Sequence, residues 1–134
     1  MTLQYSGAVR DAQLDAVETV VGTAPKLQLR TGAPPANCAA ADSGTLLCEI
    51  TLPSDWMAAA SGGSKAKSGT WNGTGAAAGN AGHFRVKDAA GTTCHAQGTV
   101  TATGGGGDMT MDNINIAVSQ AVSVSTFTLT AGNA

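Results

Sequence analysis

Two segments of the chain place polar, titratable residues at strand spacing. Residues 82–88 (GHFRVKD) and 92–101 (TTCHAQGTVT) flank Ala89-Ala90-Gly91, and both alternate apolar with polar side chains. A three-residue hairpin loop with Gly91 in the left-handed conformation predicts Phe84 opposite Ala96 and Val86 opposite Cys94. In that register both apolar faces coincide. The other face then gathers His83, Arg85, His95 and Gln97 into a polar surface patch. Two imidazoles on one face have the chemistry to share a proton or ligate a metal. Without a carboxylate beside them, however, they make a thin ligand set. Cys94 and His95 are strand neighbours and point to opposite faces, so they do not converge on one ion. The expectation is a solvated or intersubunit sheet face with no catalytic residue, no cofactor and no metal.

Other chemistry is less well supported. Serines are plentiful, but no nucleophile-elbow pattern sets one beside a histidine held by a carboxylate. The acidic residues fall in an N-terminal helical segment and in turns, not in the paired arrangement of glycosidases. Gly73, Gly75 and Gly79 have the wrong spacing for a dinucleotide fingerprint, and Gly104 to Gly107 leads into a strand where a phosphate cradle leads into a helix. Asn72-Gly73-Thr74 fits a glycosylation acceptor but is read as coincidence. Cys38, Cys48 and Cys94 are an odd set, which argues against a closed disulfide framework. A Cys38–Cys48 bridge is compatible with the order of loop and strand; reduced thiols are the expectation for a chain made in the cytosol.

The elements that must carry these residues are mostly strands. Residues 8–21 (AVRDAQLDAVETVV) form the exception, an amphipathic helix with Val9, Leu14, Val17, Val20 and Val21 on its apolar stripe, stopped by Gly22 and Pro25. Packing on its own sheet and lying on a neighbouring subunit as an arm are both open to it. Residues 26–31 (KLQLRT) are a first strand, and the Pro-Pro stretch that follows is a surface loop. Residues 45–52 alternate again and point Cys48 inward. Residues 53–60 (PSDWMAAA) predict two helical turns capped by Ser54, with Trp56 anchoring the turn on the sheet or, alternatively, stacking on a sugar. Residues 61–69 read as a flexible tip and Trp71 as part of a short strand. From Asp108 onward, apolar residues alternate with Thr, Ser and Asn in successive strands. The apolar parity switches near Ser125-Thr126, which predicts a bulge or a crossing between sheets there.

Composition agrees with a β domain. The chain has 134 residues, enough for one core, with only 4% aromatic and 12% charged residues and 18 glycines. Seven Lys+Arg against nine Asp+Glu give a formal charge of −2, which provides no field for direct nucleic-acid binding. No stretch has the length and apolarity to span a membrane, and the start lacks the pattern of a secretion signal. The expected fold is mainly β: a two-sheet antiparallel β-sandwich of jelly-roll or immunoglobulin-like type over residues 26–134, preceded by a helical arm over residues 1–25.

Several stretches together carry a resemblance: LQYSGAVRDAQLDAVET, TGAPPANCAAADSGTLL, LPSDWMAAA, GHFRV, GTTCH, GGGGDMTMDN and FTLTAGNA. In these the chain resembles a family of small virion proteins encoded in the structural-gene modules of tailed bacteriophages. The resemblance implies a non-enzymatic particle component present in many copies, with capsid decoration (cementing) the first reading. The implied partners are the major capsid protein and further copies of this chain, and the implied location is the virion, after synthesis in the host cytoplasm. A tail or tail-tip component is the alternative within the particle. A carbohydrate-binding adhesin module using Trp56 or Trp71 is the alternative of another class. Removal of residues 1–22 is expected to abolish shell binding and leave the β domain folded.

Overall fold

The computed structural model describes residues 3–132; the expected arm and domain reach residues 1–2 and 133–134, which lie outside that range. One helix, α1 (Gly7–Val21), is followed by strands β1 (Lys26–Thr31), β2 (Leu46–Thr51), β3 (Ser64–Ala66), β4 (Trp71–Thr74), β5 (Gly79–Lys87), β6 (Cys94–Ala102), β7 (Met109–Met111), β8 (Asn115–Ile116), β9 (Ala121–Val124) and β10 (Thr128–Thr130). The main sheet runs β2-β1-β5-β6-β7, with β8 also on β5, and two small antiparallel sheets pair β3 with β10 and β4 with β9. The protein is therefore mainly β with one N-terminal helix. Pairing is not antiparallel throughout: β6 and β7 run parallel, Val100 facing Met109.

That parallel pair explains the four-glycine run. Parallel neighbours ordinarily need a crossover of about a dozen residues, whereas this chain turns back between Ala102 and Met109. The turn is held by hydrogen bonds although residues 103–106 are exposed. Gly107 N donates to Thr101 Oγ1 at 3.0 Å and Gly105 N to the Ala102 carbonyl at 2.9 Å. A Cβ on Gly105 would lie 2.8 Å from Thr101 Cβ, so only a bare backbone passes this close.

One hydrophobic core draws residues from the main sheet and from the small ones. Leu27 and Leu29 of β1, Cys48 and Ile50 of β2 and Phe84 and Val86 of β5 point into it. An aromatic chain runs through this core: Trp56 to Trp71 at 6.1 Å, Trp71 to Phe127 at 5.7 Å, and Phe127 edge-on to Phe84 at 5.5 Å. Both tryptophans are buried, with Trp56 Nε1 donating to the Gly22 carbonyl and Trp71 Nε1 to the Ser68 carbonyl. They anchor the core and have no face free to stack on a sugar.

The two helical turns predicted at residues 53–60 do not form. Met57 bridges to Lys67, and Ala58 N donates to the Ala66 carbonyl at 2.8 Å. Trp56 and Met57 are adjacent and both buried, and this extended pairing outweighs the helical propensity of the alanines. The supposed flexible tip carries β3. The predicted break near Ser125 is present, because β9 and β10 end up in different small sheets.

The β5–β6 hairpin differs from its expected register by two residues. Phe84 faces Gly98 and Val86 faces Ala96, with a bulge before Lys87 meets Cys94. The longer loop is organised by the Asp88 carboxylate, which accepts from Thr92 N at 2.9 Å and Thr93 N at 3.3 Å, and Gly91 has φ 75° as anticipated. The glycine suits the Phe84 ring, since a Cβ on Gly98 would lie 2.8 Å from Phe84 Cε1.

Candidate functional site

The polar face of the main sheet is built by side chains that the strand period sets opposite the core. Gln28 on β1 lies between Glu49 on β2 and Arg85 on β5, and Arg85 in turn faces Gln97 on β6. Gln28 Nε2 donates to Glu49 Oε2 at 2.8 Å, and Arg30 Nε donates to Gln28 Oε1 at 3.1 Å. The face is not open to solvent. Residues 32–45, all but Thr45 expected as a surface loop, fold back over it.

Arg85 holds the loop down. Its Nη2 donates to the Cys38 carbonyl at 2.8 Å and its Nη1 to Asp42 Oδ1 at 2.5 Å, with both also reaching the Ala40 carbonyl at 3.1 Å. Gln97 Nε2 donates to the Pro35 carbonyl at 2.7 Å, and His83 Nδ1 lies 2.9 Å from the Gly32 carbonyl. Because that partner only accepts, Nδ1 carries the proton of this contact. Asp42 is the focus of charge: Lys87 Nζ lies 2.6 Å and Arg30 Nη2 3.2 Å from its Oδ2. Lys87, Arg85 and Arg30 hold the Asp42 carboxyl below the usual carboxylate range against the opposing effect of burial. Burial works against the Arg85 charge, but Asp42 and the nearby Cys94 outweigh it and raise its pKa.

The expected surface patch is thus corrected. His83 and Arg85 are buried, Gln97 is half-buried under Pro35, and His95 goes elsewhere. The bulge leaves His95 as an extra residue of β6, lining a groove with Leu14, Phe84, Val86 and Phe127. The two histidines do not meet. Among the described residues no group of three or more His, Cys, Asp or Glu side chains is placed to hold a metal ion. The bulge also turns Cys94 from its expected core face toward Lys87 and Arg85, so that Cys94 and Cys38 line one cleft of ≈ 670 Å³. Cys48 stays in the core on the opposite face, and all three cysteines are free.

The helix residues divide between two environments. Leu14 and Val21 are buried and Val17 packs partly on the core, while Val9 and Val20 are 43% and 68% exposed. Much of the attachment of α1 to the body is polar. Buried Lys65 of β3 lies 2.7 Å from both Asp15 Oδ1 and Glu18 Oε2, Gly63 N donates to Asp11 Oδ1 at 2.7 Å, and Arg10 Nε donates to the Ala131 carbonyl at 2.8 Å. A cleft beside this junction, lined by Asp15, Glu18, Ser54, Asp55 and Lys65, therefore has its buried cation already matched.

Sequence reasoning found Arg85 and missed its partners. The one available signal was Asp42, a lone acid in an otherwise uncharged loop of small residues. Comparison of the chain with protein families, with curated proteins and with solved structures returned no match.

Proposed function

We propose that this chain is a non-enzymatic structural protein of the bacteriophage virion, a capsid decoration protein that bridges and stabilises major capsid subunits. Support comes first from the resemblance carried by its N-terminal, loop and strand segments. The observation that carries the reading further is the outward face of α1. Val9 and Val20 are eleven positions apart, close to three helical turns, so they project from one side of the helix. Leu3 and Tyr5, just before the helix, are also exposed. An apolar stripe held outward by polar attachments suits a surface that docks on a larger subunit or on another copy of the chain.

The same reading treats the two small sheets as a second layer over the main sheet, a sandwich-like body whose upper layer is split. A rigid body of this kind with a sticky helix adds buried interface to a shell without needing a catalytic centre.

Labelling of intact particles with an antibody against the chain, followed by reconstruction, tests the proposal. Many copies on the head surface are expected, and a location confined to the tail overturns the decoration reading. Val9→Glu with Val20→Glu is expected to abolish attachment to shells while leaving the purified chain folded. Undiminished shell occupancy of that folded variant removes the helix from the interface.

A further inference from the structure

Cys38 and Cys94 are 56 positions apart in sequence, yet three features of the fold bring them together. The bulge in β6 sets Cys94 opposite Lys87, on the face that carries Arg85. Arg85 draws the loop onto that face by its bond to the carbonyl of Cys38 itself. Asp42, tied to Arg85 and Lys87, fixes the loop on the other side of Cys38. The two side chains line one open cleft, both half-buried and within reach of reagents, and Cys94 Sγ donates to the Ala96 carbonyl at 3.4 Å. Cys48 is fully buried on the opposite face of the sheet and has no route to either.

We propose that Cys38 and Cys94 are a redox-active thiol pair that closes to a disulfide by exchange with a low-mass disulfide, clamping the capping loop to β6. One cysteine thiolate attacks a sulfur of the small disulfide, whose S–S bond breaks and releases one thiolate. The second cysteine then attacks the protein-bound sulfur of this mixed disulfide. The Cys38–Cys94 bond forms, the second small thiolate leaves, and the two cysteine protons go to the two leaving groups. The protein sulfurs are oxidised by two electrons, and the small disulfide is reduced by two. Arg85 favours the reaction because it is a fixed cation in the same cleft, bonded to the Cys38 carbonyl, and because it pre-forms the loop geometry. Burial raises the Cys38 thiol above its usual range, so closure through this thiolate quickens as pH rises. The clamp closes a long loop of chain and so restricts the unfolded state. This inference stands independently of any particle role.

The test uses the full chain incubated with oxidised glutathione, followed by alkylation and digestion on the N-terminal side of Asp42, which separates Cys38 from Cys48. The expected result is a Cys38–Cys94 linked peptide pair, one remaining free thiol at Cys48, and a Tm higher by roughly 5–15 °C that dithiothreitol reverses. Cys38→Ser is expected to take a single glutathione adduct at Cys94 and show no rise in Tm. The proposal is overturned by separate adducts on both cysteines of the wild type, by any link through Cys48, by three unreacted thiols, or by a Tm rise that survives in Cys38→Ser. The wild-type peptide map decides the matter even if a variant fails to fold.

Discussion

Arg85 Nη1 donates to Asp42 Oδ1 at 2.5 Å across 43 positions of sequence, and through this pair a loop of small residues becomes the cover of a sheet. Arg85 is almost wholly buried, while the Asp42 side chain is 31% exposed. The arginine is therefore the more costly to lose. Removing it strands Asp42 with two remaining cations and leaves the carbonyls of Cys38 and Ala40 without their donor.

Arg85→Met is expected to lower stability by about 3–5 kcal/mol, and Asp42→Asn, at the more exposed end, by about 1–2 kcal/mol. Urea denaturation measures both. Hydrogen exchange should show faster exchange concentrated in residues 32–45. Equal losses in the two variants would mean that the loop carbonyls contribute little.

Acid should weaken the protein through two carboxylates. Hydrogen bonding from Lys87 lowers the pKa of Asp42, and hydrogen bonding from Lys65 lowers that of Asp15. A carboxyl with a depressed folded pKa contributes fully above its unfolded value of about 3.9, and the contribution is lost as pH falls below that value toward the folded one. The unfolding free energy should be insensitive to these groups near pH 6 and fall with decreasing pH below about 4. Asp42→Asn should show a shallower decline over the same interval. An unchanged slope in that variant would remove Asp42 as a source of acid sensitivity.

Trp71 lies between Trp56 and Phe127. Trp71→Ala is expected to cost about 3–5 kcal/mol through the cavity it leaves. Loss of near-ultraviolet circular dichroism and an earlier denaturation midpoint would accompany this. A folded, fully stable Trp71→Ala variant that has lost retention on a glycan column would instead favour a sugar-binding role.

The helix cannot be removed as cleanly as its place in the sequence implies. Deleting residues 1–22 takes both carboxylates from buried Lys65 and the Gly22 carbonyl from Trp56. Lys65 keeps only its bond to the Ala58 carbonyl, so its ammonium loses both counter-charges. The truncated chain should therefore show a sharply lower Tm. If Lys65→Met is added to the truncation, part of the loss should be recovered, because no ammonium is then left without its carboxylates. A truncated chain as stable as the full one would show that the body folds without its helix.

The positions of α1, β1 and β2 were legible in the sequence because local rules suffice: a 3.6-residue stripe with a glycine stop, and alternation with a period of two. The switch of apolar parity near Ser125 likewise marked where β9 gives way to β10. Local rules failed where a distant partner decided the outcome. Residues 53–60 had helical composition but were drawn into extended pairing by Lys67 and Ala66. The polar quartet had the right faces for Arg85 and Gln97, but the register depended on Gly98 accepting the Phe84 ring, and the bulge sent His95 to another surface.

The sequence by itself determined a mainly β chain with one leading helix, because side-chain period and glycine placement act within a few residues. Tertiary structure alone decided that the loop of residues 32–45 covers the polar face, and hence that Arg85 meets Asp42 and that Cys38, not Cys48, is the neighbour of Cys94. Alternation specifies which face a residue takes but not what covers that face. The cover is chosen by charge pairing and carbonyl satisfaction between residues more than forty positions apart, which no local pattern encodes.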